Sequence, residues 1–395
     1  MKKPLNICVI SQEFPPYTNW GGTATYCKDL VDGIRERGHK ATIIARYSPG
    51  APMIEHISES VDVIRVGSSI KRKLFLGRTI DKIIHARDVY KMVKKLDSVE
   101  PFDIIEVPEF TLEGLVLVKF PYFRNKMTIQ CHGSNIVGVI PGGILSFVHR
   151  LDHLWSFKYE IRILKNAYRI TVPSKAGKDL LVEHGITDDK IKIIYHGIDT
   201  VLFNSSKKKL QSPPLEVGVV GKLHKMKGLD FVWKVIEKIG PDSKIRFHLI
   251  GDIHPSEKNE VSRYLSMFPK SIIYHHPVDR TEMPDIYHSL HVLLAPSRFE
   301  EFGFTYAEAM ASELLVFAGK NGGGSEIIKH NETGFLVDPD KDVDFVIHKL
   351  KELEENPSSF DRIRINARKN IEENFPLKAS IEKKIEYFSR LSNIK

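Results

Sequence analysis

The sequence predicts an α/β protein of two domains, each a parallel sheet covered by helices. Short β-branched runs alternate with helical-period segments along almost all of the 395 residues. Several of those runs are apolar on consecutive positions, as strands buried on both faces must be. The alternation stops at a polar, basic, proline-ended stretch, residues 204–214, and then starts again. Repeated strand–helix units of this kind give parallel sheets with right-handed crossovers.

In the first domain, strands are expected at 6–10, 42–45, 61–66, 103–107, 127–131, 169–173 and 192–195. In the second they are expected at 216–220, 245–250, 271–274, 292–295, 314–318 and 335–337. A helix over 228–239 places Leu229, Val232, Trp233, Ile236 and Ile239 on one stripe. The closing segment 380–391 carries Ile381, Lys384, Ile385, Phe388 and Leu391 at helical spacing, an amphipathic helix that needs a partner surface. The expected domains are therefore 1–205 and 206–377, with residues 378–395 packing back on the first.

Composition narrows the function classes. With 42% hydrophobic and 27% charged residues the chain has ample material for large cores, which excludes disorder as the dominant state. The net charge of +8 suits nucleic acid, an anionic membrane or an anionic small ligand alike. Cys8, Cys27 and Cys131 fit neither a disulfide framework nor a zinc site and read as small buried apolar residues. The longest uncharged stretch, 137–148, is broken by Pro141-Gly142-Gly143 and is too short to span a membrane. Gln12 and Glu13 end the first apolar run too early for a signal peptide, so the expected location is cytoplasmic.

Chemistry concentrates after the strands of the second domain. The run 295–311 (APSRFEEFGFTYAEAMA) follows a buried strand, turns through Gly303 and enters a helix at about Thr305. A helix N-terminus at the carboxyl end of a parallel strand presents unpaired N–H groups and a positive dipole end, which suits a phosphate. Glu300 and Glu308 bracket that turn with seven residues between them. Thr305-x-x-Glu308 is also a capping box, so a purely structural Glu308 stays open. The run 219–228 is again strand, glycine turn and helix, with Lys222 and Lys227 placed to contact phosphate oxygens or simply to face solvent. The turn Asn321-Gly322-Gly323-Gly324-Ser325 lets backbone approach a ligand before Ser325 caps a short helix. In the first domain, Gly21-Gly22-Thr23 opens a helix running to Gly38. His132-Gly133-Ser134 ends a strand where ligands of such sheets bind.

Taken together, these motifs resemble the retaining glycosyltransferases of family 4. The likeness rests on Glu300-x7-Glu308 within its Pro-Ser-Arg and Phe-Gly context, the Gly221-Lys222 to Gly228 loop, Gly323-Gly324, His196-Gly197-Ile198-Asp199 and Gly21-Gly22, in consistent order from residue 5 to about 340. The resemblance implies the GT-B fold: two Rossmann-like domains facing across a cleft, the first for the acceptor and the second for a nucleotide-sugar donor. It implies that Lys222 and Lys227 neutralise the leaving diphosphate, that Glu308 holds the ribose hydroxyls, and that Glu300 and His132 contact the transferred sugar. Gly323 and Gly324 would offer backbone N–H groups to the sugar, Gly22 would approach the diphosphate, and Gly221, Phe304 and Thr305 would complete the donor site. Lys222 stands where the family usually has Arg, and Glu301 where it has a small or apolar residue.

The implied activity is sugar transfer from a nucleotide diphosphate donor to a hydroxyl with retained configuration. Front-face departure and attack fit it, since no nucleophile is evident, and no metal or other cofactor is expected; Asp338-Pro-Asp340 reads as a turn. A glycan, a lipid-linked glycan or a small molecule is the expected acceptor. The segments 49–59 and 138–149 are candidate acceptor loops without a readable code. A sugar-nucleotide epimerase or a glycan phosphorylase would share the fold. A dinucleotide oxidoreductase is disfavoured because no Gly-x-Gly-x-x-Gly follows strand 6–10, and nucleic acid is not an expected partner because no binding module appears. Residues 71–95 hold Lys71, Arg72, Lys73, Arg78, Lys82, Arg87, Lys91, Lys94 and Lys95 against Asp81 and Asp88. Ile80, Ile83, Ile84, Tyr90 and Val93 suggest a helix with an outward basic face, either simply solvated or resting on an anionic membrane.

Overall fold

The computed structural model describes residues 3–18, 21–67, 77–133, 147–205 and 214–393. The chain forms two compact units, residues 1–196 with 378–395, and residues 197–377. The division falls at His196–Gly197, earlier than the polar stretch suggested. The reason lies in the backbone: Ile198 bridges Pro376, with Ile198 N–H donating to Phe375 O at 2.8 Å and Leu377 N–H to Ile198 O at 3.0 Å. The outgoing segment is thereby bound into the second unit, and residues 206–213 lie outside the described residues.

The first unit holds strands β1 (Asn6–Ser11), β2 (Lys40–Arg46), β3 (Ile54–Ser58), β4 (Val61–Val66), β5 (Ile104–Pro108), β6 (Met127–Gln130), β7 (Ile170–Val172) and β8 (Ile191–Ile193). They pair in the order β3-β4-β2-β1-β5-β6-β7-β8. All pairs are parallel except β3–β4. β3 was not expected as a strand and falls inside the supposed acceptor loop 49–59. As an exposed antiparallel edge it lacks the apolar run that marks a buried strand. The other loop, 138–149, lies outside the described residues up to 146, and Phe147–Asn166 is a helix.

The second unit holds β9 (Leu215–Val220), β10 (Ile245–Ile250), β11 (Ile272–His275), β12 (Val292–Ala295), β13 (Leu315–Gly319) and β14 (Phe335–Val337). They form a fully parallel sheet in the order β11-β10-β9-β12-β13-β14. Alternate side chains feed two cores, as a pleated strand dictates: Val217, Phe247, Leu294 and Phe317 on one face, Leu293, Val316 and Ala318 on the other. Helix Leu229–Ile239 covers the first face through Val232, Trp233 and Ile236. Helix Phe304–Ala311 covers the second through Ala307 and Met310.

Strand order also locates the ligand end of each sheet. In the second unit the chain runs outward from β9 to β11 and then returns to β12 on the other side of β9, so the winding reverses between β9 and β12. In the first unit it reverses between β1 and β5. Ligands of such sheets bind at the carboxyl ends of the strands flanking the reversal. The three cysteines are free and buried, as small apolar residues would be. Among the described residues, no helix is long and apolar enough to cross a membrane.

Candidate functional site

The loops after β9 and β12 meet at the reversal of the second sheet. The β9 loop runs from Gly221 through a single helical turn, Lys225–Lys227, to Gly228, which starts the next helix at φ 79°. A side chain at Gly228 would be strained by that φ, and its Cβ would sit 2.2 Å from the Pro296 carbonyl oxygen. Glycine here lets the two loops touch. Arg298 then fastens them. Its backbone N–H donates to Met226 O at 2.9 Å, its guanidinium forks onto Asp230 at 2.8 and 2.8 Å, and it also reaches Asp340 at 3.1 Å.

This fastening brings Lys227 and Glu300 together. Lys227 Nζ lies 2.5 Å from Glu300 Oε1, which also accepts from Ser297 Oγ at 2.8 Å. Lys222 is exposed on the same loop, and Gly221 carries φ 120° at the strand end. Phe304 and Thr305 are the half-buried first residues of the helix behind Gly303, which is itself the N-cap at φ 87°.

The capping-box expectation for Thr305 and Glu308 fails on this geometry. With Gly303 as N-cap, Thr305 already lies inside the helix and Glu308 falls in its second turn, not its first. The Glu308 carboxylate instead accepts from the Tyr287 hydroxyl at 3.0 Å and lies 3.9 Å from Arg280 Nε, all three residues being buried. Glu300 and Glu308 thus turn to different partners. Burial and the neighbouring carboxylate push the Tyr287 phenol well above its ordinary range.

Two further expectations are corrected in the glycine turn. The Gly323 N–H donates to the Glu300 carbonyl at 2.6 Å, so it is committed to the loop rather than offered to a sugar. Ser325 does not cap helix Gly324–Ile327; Gly323 is the N-cap, and Ser325 Oγ donates to Gly322 O at 2.8 Å. Glu301, beside Glu300, is buried, and that burial together with Glu326 and Glu300 raises its carboxyl to about 7.

In the first unit, Gly22 begins helix Gly22–Glu36 behind Gly21, both exposed. His132 follows β6, and its backbone N–H donates to Glu109 Oε1 at 2.8 Å. Its ring packs edge-on against Tyr26 at 4.9 Å, and Tyr26 also lies 4.7 Å from the His196 ring. Burial, with Lys384 as a second cause, lowers His132 to about 3, so this imidazole is neutral. Ser134 lies outside the described residues.

Two family models divide the chain between them. Glycosyltransferase Family 4 matches residues 20–202, and Glycosyl transferases group 1 matches residues 188–370. The chain belongs to the family 4, group 1 glycosyltransferases. This glycosyltransferase is 25% identical over 350 residues to an uncharacterized glycosyltransferase of Methanocaldococcus jannaschii, the match covering 85% of each chain. A sucrose-phosphate synthase from Thermosynechococcus elongatus superposes with a TM-score of 0.84 at 18% identity, over 98% of this chain and 99% of that one. HepE from Anabaena, solved in complex with UDP and glucose, superposes with a TM-score of 0.75 at 18% identity and the same coverage. The fold of the glycosyltransferase is GT-B.

Several site features of the glycosyltransferase were not legible beforehand. Arg298 stood inside the quoted motif, yet its role as fastener depends on Asp230 and Asp340, which are distant in sequence. Tyr287 and Arg280 carried no signal at all. His224, His254 and Glu257 also converge, with ligand atoms within 4.8 Å of one another, and they form the one group of metal-ligand type among the described residues. Their geometry does not favour a cation. His224 Nδ1 accepts from Met226 N–H at 3.2 Å and His254 Nδ1 from Ser256 N–H at 3.3 Å. A neutral imidazole that accepts at Nδ1 carries its proton on Nε2, so in this arrangement neither ring nitrogen offers an unengaged lone pair.

Proposed function

We propose that the protein is a retaining, metal-independent glycosyltransferase that moves a sugar from a nucleoside diphosphate sugar to a hydroxyl of a glycan, a lipid-linked glycan or a small-molecule acceptor. The observation that carries this reading is the Lys227–Glu300 contact at the reversal of the second sheet, flanked by Lys222 and two helix starts. Cations and helix N-termini gathered at one strand end suit a diphosphate leaving group, whose growing negative charge is the main catalytic demand. Lys222 and Lys227 would neutralise it and Glu308 would hold the ribose. Glu300 and, from the first unit, His132 would contact the sugar. Gly22, Gly221, Phe304, Thr305 and Gly324 would line the donor, with Gly323 shaping the loop.

In this reaction the bond from the anomeric carbon to the diphosphate breaks. The bond to the acceptor oxygen forms on the same face, and the acceptor proton passes to a diphosphate oxygen. HepE, whose structure holds UDP and glucose, supports a uridine nucleotide as the first donor to try. An epimerase or phosphorylase has no comparable support. Screening nucleotide sugars by thermal shift, then assaying transfer in excess EDTA, tests the proposal. A stabilising donor and EDTA-resistant transfer are expected. Loss of transfer that Mg²⁺ or Mn²⁺ restores would contradict it.

A peripheral position on an anionic, inward-facing membrane remains part of this reading. Helix Gly77–Asp97 exposes Arg78, Arg87, Lys91, Lys94 and Lys95. Two details differ from the expectation. Lys82 turns inward to Phe110 O and Ser156 Oγ at 2.8 and 2.9 Å, and Ile80 is exposed, the buried stripe being Thr79, Ala86, Val89 and Val93. Lys71, Arg72 and Lys73 lie outside the described residues. Salt-sensitive sedimentation with anionic vesicles, lost when Arg87, Lys91, Lys94 and Lys95 become Ser, is the expected result.

A further inference from the structure

The C-terminal helix Leu377–Ser392 belongs to the first unit, where Ile381 packs on Gly33 and Ser380 Oγ donates to Tyr195 O at 2.6 Å. Its apolar stripe includes a lysine. Lys384 is 2% exposed, and its ammonium lies under three adjacent strands. It pairs with Glu106 Oε2 on β5 at 2.6 Å, and donates to Gln130 Oε1 on β6 at 2.7 Å and to Thr171 Oγ1 on β7 at 2.8 Å. Apolar residues in place of both Lys384 and Glu106 would hold the helix at least as well, because a buried ion pair rarely outperforms apolar packing, whereas loss of the lysine alone would leave Glu106 as an unpaired buried charge. Stability therefore does not account for the pair.

Two of its three contacts, those to Glu106 and Gln130, lead toward His132. Glu106 Oε1 accepts from the Tyr26 hydroxyl at 2.7 Å, and the Tyr26 ring packs on His132 and His196. Gln130 Nε2 donates to the carbonyl of Cys131 at 2.7 Å, the residue preceding His132. We propose that Lys384 is a positioning residue for His132, locking the tyrosine and backbone that hold the ring and keeping a positive charge beneath it. The inference rests on the reading of His132 as a sugar contact.

The charge has a chemical consequence. A neutral imidazole can donate and accept hydrogen bonds, whereas an imidazolium only donates. An imidazolium would also oppose the positive charge that grows on the sugar ring as its bond to the leaving group breaks. Among the described residues, the titratable and charged groups around His132 are Glu109, which takes its backbone N–H, Tyr26 and Glu106, His196, Cys131 and Lys384. Burial and Lys384 push the imidazole down together, and burial with His132 and Lys384 does the same to His196.

The test uses the full chain with Lys384→Met and Lys384→Arg. Ring resonances of His132, assigned by their loss in His132→Gln, are followed by NMR against pH, and kcat/KM is measured in parallel. In the wild type and in Lys384→Arg, His132 should not titrate between about pH 5 and 8. In Lys384→Met the His132 pKa should rise above its wild-type value, short of a full return to the ordinary range because burial remains, and kcat/KM should fall more steeply toward low pH than in the wild type. If Lys384→Met does not fold, Lys384→Met with Glu106→Gln, which leaves no unpaired buried charge, carries the same expectation. An unshifted His132 in the folded variant overturns the proposal, even where His132→Gln abolishes transfer. A shifted His132 with transfer unchanged at every pH upholds the positioning and overturns the role given to His132.

Discussion

Lys227 Nζ lies 2.5 Å from Glu300 Oε1, although 73 residues separate them in sequence. The contact closes the space between the β9 and β12 loops, and it exists because Gly228 lets the loops touch and Arg298 ties them together. Lys227 is 44% exposed, so the pair adds little to stability in water. Its significance is geometric, since a cation and a carboxylate are held side by side where the sheet reverses.

If Lys222 and Lys227 stabilise a departing diphosphate, replacing either by Ala lowers kcat while leaving the melting temperature nearly unchanged. One lost charge-assisted contact of roughly 1.5–3 kcal/mol corresponds to about a 10- to 150-fold loss in rate. Steady-state kinetics on the purified variants decides the matter, and wild-type kcat/KM in both would remove the assignment.

Glu308→Gln separates ligand binding from helix structure. The amide oxygen can still accept from Tyr287, so the fold should survive, with a drop in melting temperature from the lost attraction to the buried Arg280. Losing a charged acceptor for ribose should weaken the nucleoside diphosphate that the wild type binds by roughly tenfold or more. Calorimetric titration reads the affinity, and an unchanged Kd would leave Glu308 a structural role only. Tyr287→Phe serves as the converse control, destabilised but with affinity retained.

Glu301 makes stability depend on pH with a defined sign. Its carboxyl stands at about 7 in the fold, above its ordinary value, through burial and then Glu326 and Glu300. Between the two values the unfolded chain binds fewer protons than the native one, so this group's contribution to stability falls as pH rises from about 4.5 to about 7 and is level beyond. Glu301→Gln removes that penalty. The variant should gain melting temperature over the wild type at about pH 8 and lose most of that advantage at about pH 5. Calorimetric scans at both pH values check this, and an equal difference at the two would contradict it.

How far the sequence disclosed this molecule depended on the physics behind each feature. Buried parallel strands such as Val292–Ala295 and Leu315–Gly319 announce themselves as apolar runs. The edge strand Ile54–Ser58, with Glu55 and His56 inside it, does not. The motif residues Lys227 and Glu300 were visible because chain-local spacing marks a loop after a strand. The Thr305–Glu308 box misled because a positive-φ glycine, Gly303, took the N-cap, two residues before Thr305. Lys384 was readable as a position on an apolar stripe, but its meaning required Glu106, Gln130 and Thr171, which only the sheet order brings beneath it.

Transfer of a sugar from a nucleoside diphosphate with retained configuration is read out by NMR of the product formed from the nucleotide sugar that stabilises the protein. One nucleoside diphosphate should be released per glycoside formed, with the anomeric configuration of the new linkage the same as in the donor. An inverted linkage, an isomerised nucleotide sugar without transfer, or a free sugar phosphate would contradict it.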